Sequence, residues 1–232
     1  MENFIKVIRE KLNNFVDDKF KVFSSSIVKN IHPMLGVKIP TLRIIAKQIC
    51  REDPILFLDS NPQQFYEEVL LQGFVIGYAK LDVQTKLKYL EKFVPVIADW
   101  SECDSVISTL KFFASNQELV FNFLEQYFNS VNEFEKRFAI VSYLNYFLTD
   151  NYVDVVLQKL INVNSNFYYV NMAVAWALSV SFVKDYNKTL SVFKTCNLND
   201  FTFNKTIQKC VESLRITAQQ KQELQKLKKI KR

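Results

Sequence analysis

The sequence predicts an all-α fold in which paired helices stack into an α-solenoid with a concave cleft. Residues that break regular structure are scarce, since the chain of 232 residues has three glycines and five prolines, and this leaves little room for hairpin turns. Helices that open on an aromatic residue recur about every 34 residues, with the apolar spacing of a helix buried on one side. Helix pairs repeating at this length bury their apolar faces only by stacking on neighbouring pairs.

The first elements follow from amphipathic patterns and from proline. Two amphipathic helices are predicted over residues 3–15 and 19–31. The segment from Pro33 to Pro40 breaks the pattern, and Pro40 suits the first turn of a third helix that runs to about Cys50.

A loop with Pro54, Asn61 and Pro62 is then predicted, followed by a helix from Gln63 to about Lys80. Beyond this helix, short polar connectors alternate with apolar periodic segments. The predicted helices there cover residues 83–93, 101–113, 117–128, 132–148, 151–161, 166–184, 186–194, 200–214 and 218–229.

Five of these helices are equivalent by the repeat, and we expect them to lie side by side along the concave surface. They begin near Phe65, Trp100, Phe134, Tyr168 and Thr202. Equivalent positions then place Arg137, Lys205 and Lys209, with Lys111 nearby, in a basic stripe suited to phosphates. Ordinary solvated lysines and arginines are the alternative interpretation.

The net charge of +6 is concentrated at the C-terminus. Residues 221–232 have six basic side chains against Glu223, a balance of +5, so the remainder carries about +1. The overall charge therefore says little about a nucleic-acid surface on the body of the protein. The basic tail is either a solvated helix end or an arm that contacts phosphate.

Several classes of function are disfavoured by composition. The four cysteines are far apart, without a CxxC motif, so we expect no metal site, no cofactor and no disulfide framework. The only histidine, His32, precedes Pro33 in a break, which disfavours Ser-His-Asp and Cys-His catalysis and predicts a surface loop residue. No signal peptide or apolar run long enough for a membrane is apparent, so a cytoplasmic monomer without membrane contact is expected.

Carboxylates near the starts of two repeated helices are the candidates for chemistry. Trp100 and Asp104 are four positions apart and share one helical face. A core tryptophan beside a carboxylate favoured by the helix dipole is the alternative. Glu67 and Glu68 are adjacent, so we expect one to face the concave surface and the other to face solvent.

Five stretches, taken together and in order, resemble the AlkC/AlkD-like DNA alkylation repair family, whose members are solenoids of HEAT-like repeats. The resemblance covers nearly the whole chain and implies one HEAT-like repeat domain over residues 1–232, with a basic C-terminal helix and tail over 218–232. The stretches are Leu35–Lys47 (LGVKIPTLRIIAK), Ala98–Asp104 (ADWSECD), Glu133–Ala139 (EFEKRFA), Tyr168–Leu178 (YYVNMAVAWAL) and Asn204–Arg215 (NKTIQKCVESLR).

The resemblance implies a DNA glycosylase of base excision repair that removes cationic N3- and N7-alkylated purines from double-stranded DNA. The family's catalytic aspartate follows a tryptophan by four residues, which matches Asp104 after Trp100. Its phosphate-contacting arginine matches Arg137, and a second tryptophan matches Trp176. The resemblance therefore implies catalytic roles for Asp104, Trp100 and Trp176.

One segment departs from the family's pattern. Glycosylases of the AlkD type have an aromatic residue on an N-terminal helix that helps to engage the lesion, and Ile27 stands near that position here. This departure keeps a second hypothesis open, in which the solenoid has no catalytic activity and binds nucleic acid or a protein partner.

Overall fold

The computed structural model describes residues 2–28 and 31–229. Helices account for 71 % of the structure and the described ranges contain no β-strand, so the predicted all-α class is confirmed. The succession of helices is consistent with an α-solenoid. The chain divides into two compact units, Met1–Phe123 and Leu124–Arg232. The prediction of one repeat domain over residues 1–232 stays a prediction.

The first unit contains eight helices and part of a ninth within its described residues. A 3-10 turn over Val94–Val96 comes shortly before the helix that begins at Trp100. The helices are α1 (Glu2–Asn13), α2 (Asp18–Ser25), α3 (Ile39–Glu52), α4 (Pro54–Ser60), α5 (Tyr66–Tyr78), α6 (Val83–Phe93), α7 (Trp100–Ile107) and α8 (Phe112–Ser115), and α9 (Gln117–Phe128) runs across the boundary between the units.

The largely buried helix α5 organises the first unit. It packs against α3 on one side and α7 on the other, and its residues from Tyr66 to Ile76 are all buried. The absence of a side chain at Gly73 permits the contact with α7, because a Cβ there would lie 2.3 Å from a methyl carbon of Val106. The expectation that Glu67 or Glu68 faces solvent is wrong, since their exposed fractions are 0 % and 2 %.

The two buried glutamates are satisfied by different partners. Glu67 accepts hydrogen bonds from the main-chain N–H groups of Leu35, Gly36 and Val37, with N···O distances of 2.7–3.0 Å. Glu68 accepts a hydrogen bond from Arg9 at 2.6 Å. A buried carboxylate needs such donors to offset the loss of water. The Pro33–Pro40 break is therefore held to α5 by a charged acceptor.

Two predicted helices and one predicted loop differ from the observed structure. Helix α2 ends at Ser25, whereas the prediction ran to residue 31 and included residues 29 and 30, which lie outside the described ranges. The predicted helix 101–113 is divided into α7 and α8. The predicted loop at Pro54 is helix α4, because Asp53 caps it and accepts the N–H of Leu56 at 2.9 Å.

The second unit has its long helices side by side. Helix α12 packs against both α10 and α14, and α15 packs against α14, while shorter helices alternate with them along the chain. The helices are α10 (Glu133–Tyr146), α11 (Val153–Ile161), α12 (Tyr168–Lys184), α13 (Tyr186–Phe193), α14 (Asp200–Glu212) and α15 (Ala218–Lys226).

Candidate functional site

Helix α7 carries the predicted pair Trp100 and Asp104. Its N-cap is Asp99, whose carboxylate accepts the N–H groups of Ser101 and Glu102 at 2.6 and 2.9 Å, so the helix begins at Trp100 as the capping rule expects. Trp100 and Asp104 are both half-buried and lie one turn apart on the same face. The pair is therefore partly accessible to solvent in the first unit.

The indole of Trp100 is oriented by the main chain. Its Nε1–H donates to the carbonyl oxygen of Ile27 at 3.2 Å, just after α2. The side chain of Ile27 is 47 % exposed. Ile27 thus contacts Trp100 through its carbonyl group. Because this hydrogen bond uses the indole N–H, stacking and cation–π contacts of Trp100 would be made by the faces of its ring.

Buried ionisable groups surround the first turn of α7. Asp99 and Glu102 are each 1 % exposed. Glu102 accepts a hydrogen bond from the N–H of Ala98 at 2.8 Å, and its other oxygen lies 2.9 Å from Nδ1 of His32. The prediction of a surface loop histidine is wrong, since the His32 side chain is 17 % exposed and ties its segment to α7.

The pKa values of this cluster are displaced toward neutrality. Burial, and then the charge of Glu102, raises the pKa of Asp99 to about 7. The hydrogen bond to Glu102 raises the pKa of His32 above its usual value. A carboxyl group whose pKa is raised to about 7 therefore caps α7, immediately before Trp100.

Sequence reasoning missed Arg43, which holds the other end of α7. Its Nη2 donates to Oγ of Ser108 at 2.8 Å and reaches the carbonyl oxygen of Ser105 at 3.5 Å. The guanidinium lies 5.4 Å from the ring centre of Phe74. A cation at the last turn satisfies C-terminal carbonyl groups and favours the helix dipole. The partners are 62 and 65 residues away along the chain, so no local pattern signals them.

In the second unit, Arg137 lies inside the packing between α10 and α12. It is 6 % exposed, and its Nη1 donates to the carbonyl oxygen of Tyr169 at 2.7 Å. The N–H of Tyr169 donates to Glu133 at 2.7 Å, so α10 holds both main-chain groups of this residue. Arg137 thereby fixes the first turn of α12, the helix that carries Trp176.

Trp176 borders a shallow depression between α12 and the end of α14. Its side chain is 37 % exposed. The depression has a volume of about 280 Å³, and its lining includes Lys209 and Arg215. The structure therefore brings together the predicted residues Trp176 and Lys209, and it adds Arg215, which the sequence pattern did not single out.

The other predicted basic residues have different surroundings. Lys205 donates to the amide oxygen of Gln208 at 2.9 Å and lies 5.9 Å from the ring centre of Phe201. Lys111 is an exposed residue of the first unit, immediately before α8. Their roles at a DNA surface stay predictions.

The basic C-terminal segment is docked along α14 as far as it is described. Lys229 forms an ion pair with Asp200 at 3.1 Å, and its ammonium lies 4.8 Å from the ring centre of Phe203. The main chain of Lys229 exchanges two hydrogen bonds with the side chain of Asn204. Residues 230–232 lie outside the described ranges. At least one lysine of the tail is thus engaged within the protein.

Over residues 2–28 and 31–229, no group of three or more histidine, cysteine or carboxylate side chains is placed to hold a metal ion. Within the same residues, no helix has the length and apolar character needed to cross a membrane.

Comparison with known proteins supports one family. A family model described as "DNA alkylation repair enzyme" matches residues 8–223, which is nearly the whole chain. No curated protein and no solved structure matches the chain.

Proposed function

The chain belongs to the DNA alkylation repair enzyme family, and from this membership we propose that it hydrolyses the N-glycosidic bond of cationic N3- and N7-alkylated purines in DNA. The observation that supports this proposal most directly is the Trp100–Asp104 pair, which is half-buried on one face of a helix held at both ends. An aromatic ring and a carboxylate one turn apart suit a positively charged nucleotide.

The chemistry requires little from the protein. An alkylated purine already carries a positive charge, so it leaves as a neutral base and needs no strong general acid. Positive charge then develops on the sugar as the bond breaks. In the proposal, the carboxylate of Asp104 stabilises this oxocarbenium-like charge and orients the attacking water.

Trp100 supplies a flat apolar surface for the cationic nucleotide in this proposal, and the family resemblance implies a catalytic role for Trp176 as well. Because the Trp100 N–H is bound to Ile27, its contribution in this proposal is a cation–π or stacking contact from the ring face. Lys111, Lys205 and Lys209 would contact backbone phosphates, which position DNA without reading its sequence.

In this proposal, Arg137 contributes mainly by holding the first turn of the neighbouring helix α12. One guanidinium nitrogen donates to the carbonyl oxygen of Tyr169, and the side chain is almost fully buried. A buried cation that is already hydrogen-bonded is costly to remove. We therefore expect Arg137→Ala to destabilise the second unit as well as to weaken DNA binding.

Release of free base from methylated duplex DNA tests the proposal. The wild type should release 3-methyladenine or 7-methylguanine, and Asp104→Asn should lower kcat by about 10²–10³-fold, the usual effect of losing one electrostatic stabiliser. Asp150→Asn, at an exposed turn of the second unit, is the matched control and should behave like the wild type. An inactive wild type, or unchanged release by Asp104→Asn, would sink the proposal.

A non-catalytic DNA- or protein-binding solenoid is the second candidate. It is favoured by the contacts of Trp100 with Ile27 and of Arg137 with Tyr169, because both predicted site residues also serve the internal structure. Measuring the binding of duplex DNA at increasing salt concentration distinguishes a DNA ligand from a protein partner. Binding that weakens steeply with salt indicates a DNA surface, whereas no binding at low salt, together with no base release, indicates a protein partner.

A further inference from the structure

Two residues of the connection between α2 and α3 contact the first turn of α7. The carbonyl oxygen of Ile27 accepts the indole N–H of Trp100 at 3.2 Å. Nδ1 of His32 lies 2.9 Å from Oε1 of Glu102, which is two positions beyond Trp100 in the same helix. The connection therefore meets the start of α7 at two neighbouring points, and one of them is the indole of the candidate site.

The contact between His32 and Glu102 is an internal one. The Glu102 side chain is 1 % exposed and that of His32 is 17 % exposed. The second carboxylate oxygen of Glu102 accepts the main-chain N–H of Ala98 at 2.8 Å, so Glu102 joins the imidazole to the residue before the N-cap of α7. Loss of the imidazole would leave a buried carboxylate short of a donor, which favours displacement of this first turn.

The connection is also fastened on either side of these contacts. The N–H groups of Ile27 and Val28 donate to the carbonyl oxygen of Ser24 at 3.1 and 3.2 Å, and Val28 is buried. The carbonyl oxygen of Pro33 accepts the N–H of Tyr66 at 3.0 Å. The connection is thus attached to α2, α5 and α7, and its position decides where the acceptor for the indole lies.

We propose that His32 is a positioning residue for Trp100. Its contact with Glu102 holds the connection against α7, so that the carbonyl group of Ile27 meets the indole and the ring keeps one orientation beside Asp104. The value of an oriented ring for base release rests on the proposed function, whereas the contact itself does not. An aromatic ring that is already held loses less freedom when a ligand stacks on it.

Protonation of His32 gives this contact a pH dependence. The groups that face the imidazole are Glu102 and Asp99 at the start of α7, and α5 adds Tyr66 and Glu67 to the same cluster. The hydrogen bond to Glu102 raises the pKa of His32 above its ordinary value of about 6.5. Below the raised pKa the imidazolium donates to the carboxylate as an ion pair, whereas above it the neutral ring has one N–H for two nitrogens. The contact should therefore weaken as pH rises through this pKa.

The fluorescence of Trp100 tests the proposal without DNA. The chain has two tryptophans, so Trp176→Phe leaves Trp100 as the sole emitter. Asp99→Asn is added to this parent because Asp99, with a pKa of about 7, would titrate in the same range, and asparagine retains the N-cap. Emission and quenching by acrylamide are measured from about pH 5.5 to 8.5, a range that spans the titration of histidine. We expect quenching to rise with pH, with a midpoint above about 6.5.

Two substitutions of His32 separate the hydrogen bond from the charge. In the same parent, His32→Ala should give strong quenching at every pH and abolish the pH step. His32→Asn presents an amide N–H in place of Nδ1 and donates to Glu102 without titrating, so it should give weak quenching at every pH. The pH step of the parent and the asparagine variant test the proposal even where the alanine variant does not fold.

A matched control removes an internal contact of the same unit that does not involve α7. Asn61 is half-buried and donates to the carbonyl oxygen of Glu68 and to the amide oxygen of Gln72, both at 2.9 Å. Asn61→Ala should leave the emission of Trp100 and its pH step unchanged. Circular dichroism confirms that each variant is folded.

Base release adds a second measurement in the protein that has both tryptophans. His32→Ala should lower kcat by up to about 10²-fold, the usual cost of misplacing a group at a reacting centre. KM should change little, because the proposed phosphate contacts are made by other residues. His32→Asn should recover most of kcat.

Three results would overturn the inference: Trp100 emission and quenching that do not vary with pH in the parent, the same quenching in His32→Ala as in the parent, or an equal change in Asn61→Ala. Failure of the proposed function is separate from these results. A protein that releases no base but shows the expected quenching pattern retains the positioning of Trp100 by His32. A wild type that releases base, with unchanged quenching in His32→Ala, supports the proposed function and refutes the inference.

Discussion

Replacing Glu67 by alanine removes the acceptor of three main-chain N–H groups in the segment before α3. One carboxylate oxygen accepts from Gly36 and Val37 at 2.7 and 3.0 Å, and the other accepts from Leu35 at 2.9 Å. Glu67, Gly36 and Val37 are buried, whereas Leu35 is half-buried. Water can therefore replace the acceptor for Leu35 more easily than for the other two groups.

The expected loss of stability follows from these contacts. Each buried N–H left without an acceptor costs about 1–3 kcal/mol, so two of them cost about 2–6 kcal/mol. Removing Glu67 also relieves the cost of burying its charge, which lowers the expected loss for Glu67→Ala to about 3 kcal/mol. Glu67→Gln keeps one oxygen for Gly36 and Val37 but directs an amide group at the N–H of Leu35, and its expected loss is about 1–2 kcal/mol.

Urea unfolding of the wild type, Glu67→Ala and Glu67→Gln measures these differences at constant m value. Glu91→Gln, at an exposed position of α6, is the matched control and should change stability by less than about 0.5 kcal/mol. Hydrogen exchange should accelerate at Gly36 and Val37 in the alanine variant. A loss below about 1 kcal/mol for Glu67→Ala, or a larger loss for the glutamine variant, would refute the reasoning.

Three further predictions concern α7 and its contacts. Gly73→Ala places a Cβ 2.3 Å from a valine methyl carbon of α7 and should cost about 1–3 kcal/mol in urea unfolding; a gain in stability would contradict this packing. Arg43→Ala should cost about 1–3 kcal/mol, and a double-mutant cycle with Ser108→Ala should give a coupling energy above about 0.5 kcal/mol, whereas additive losses would contradict the contact. Stability should fall as pH rises from about 4 to 7, because Asp99, with a pKa of about 7, holds its proton longer in the native state than in the unfolded chain. The raised pKa of His32 has the same sign above about pH 6.5. Asp99→Asn retains the N-cap and should flatten the thermal stability profile over this range; an unchanged profile would refute the assignment.

Helices whose ends are marked by local signals were predicted well. The predicted spans 83–93 and 117–128 coincide with α6 and α9. Capping residues, proline and a spacing of three or four residues act within a few positions, so these signals are present in the sequence itself. Helix α4 was missed because it has seven residues between prolines, too few for a periodic pattern to emerge.

Side chains whose partners are distant along the chain were predicted poorly. Glu67 looked like one of a pair of surface carboxylates, yet its acceptor role depends on a segment about 30 residues away. His32 looked like an exposed loop residue, yet it contacts Glu102 across 70 positions. Neither partner can be inferred from spacing, because the contact exists only after α5 and α7 have packed.

The sequence by itself determined the all-α class, most helix positions and the placement of Trp100 and Asp104 on one face. All three follow from interactions between residues a few positions apart, through backbone hydrogen bonds and the helical period. Tertiary structure decided which charges are exposed and which are internal. It buried Arg137 against Tyr169 and placed Arg215 beside Trp176. Such outcomes depend on which helices pack together, because burial and pairing are properties of the surroundings of a side chain rather than of its type.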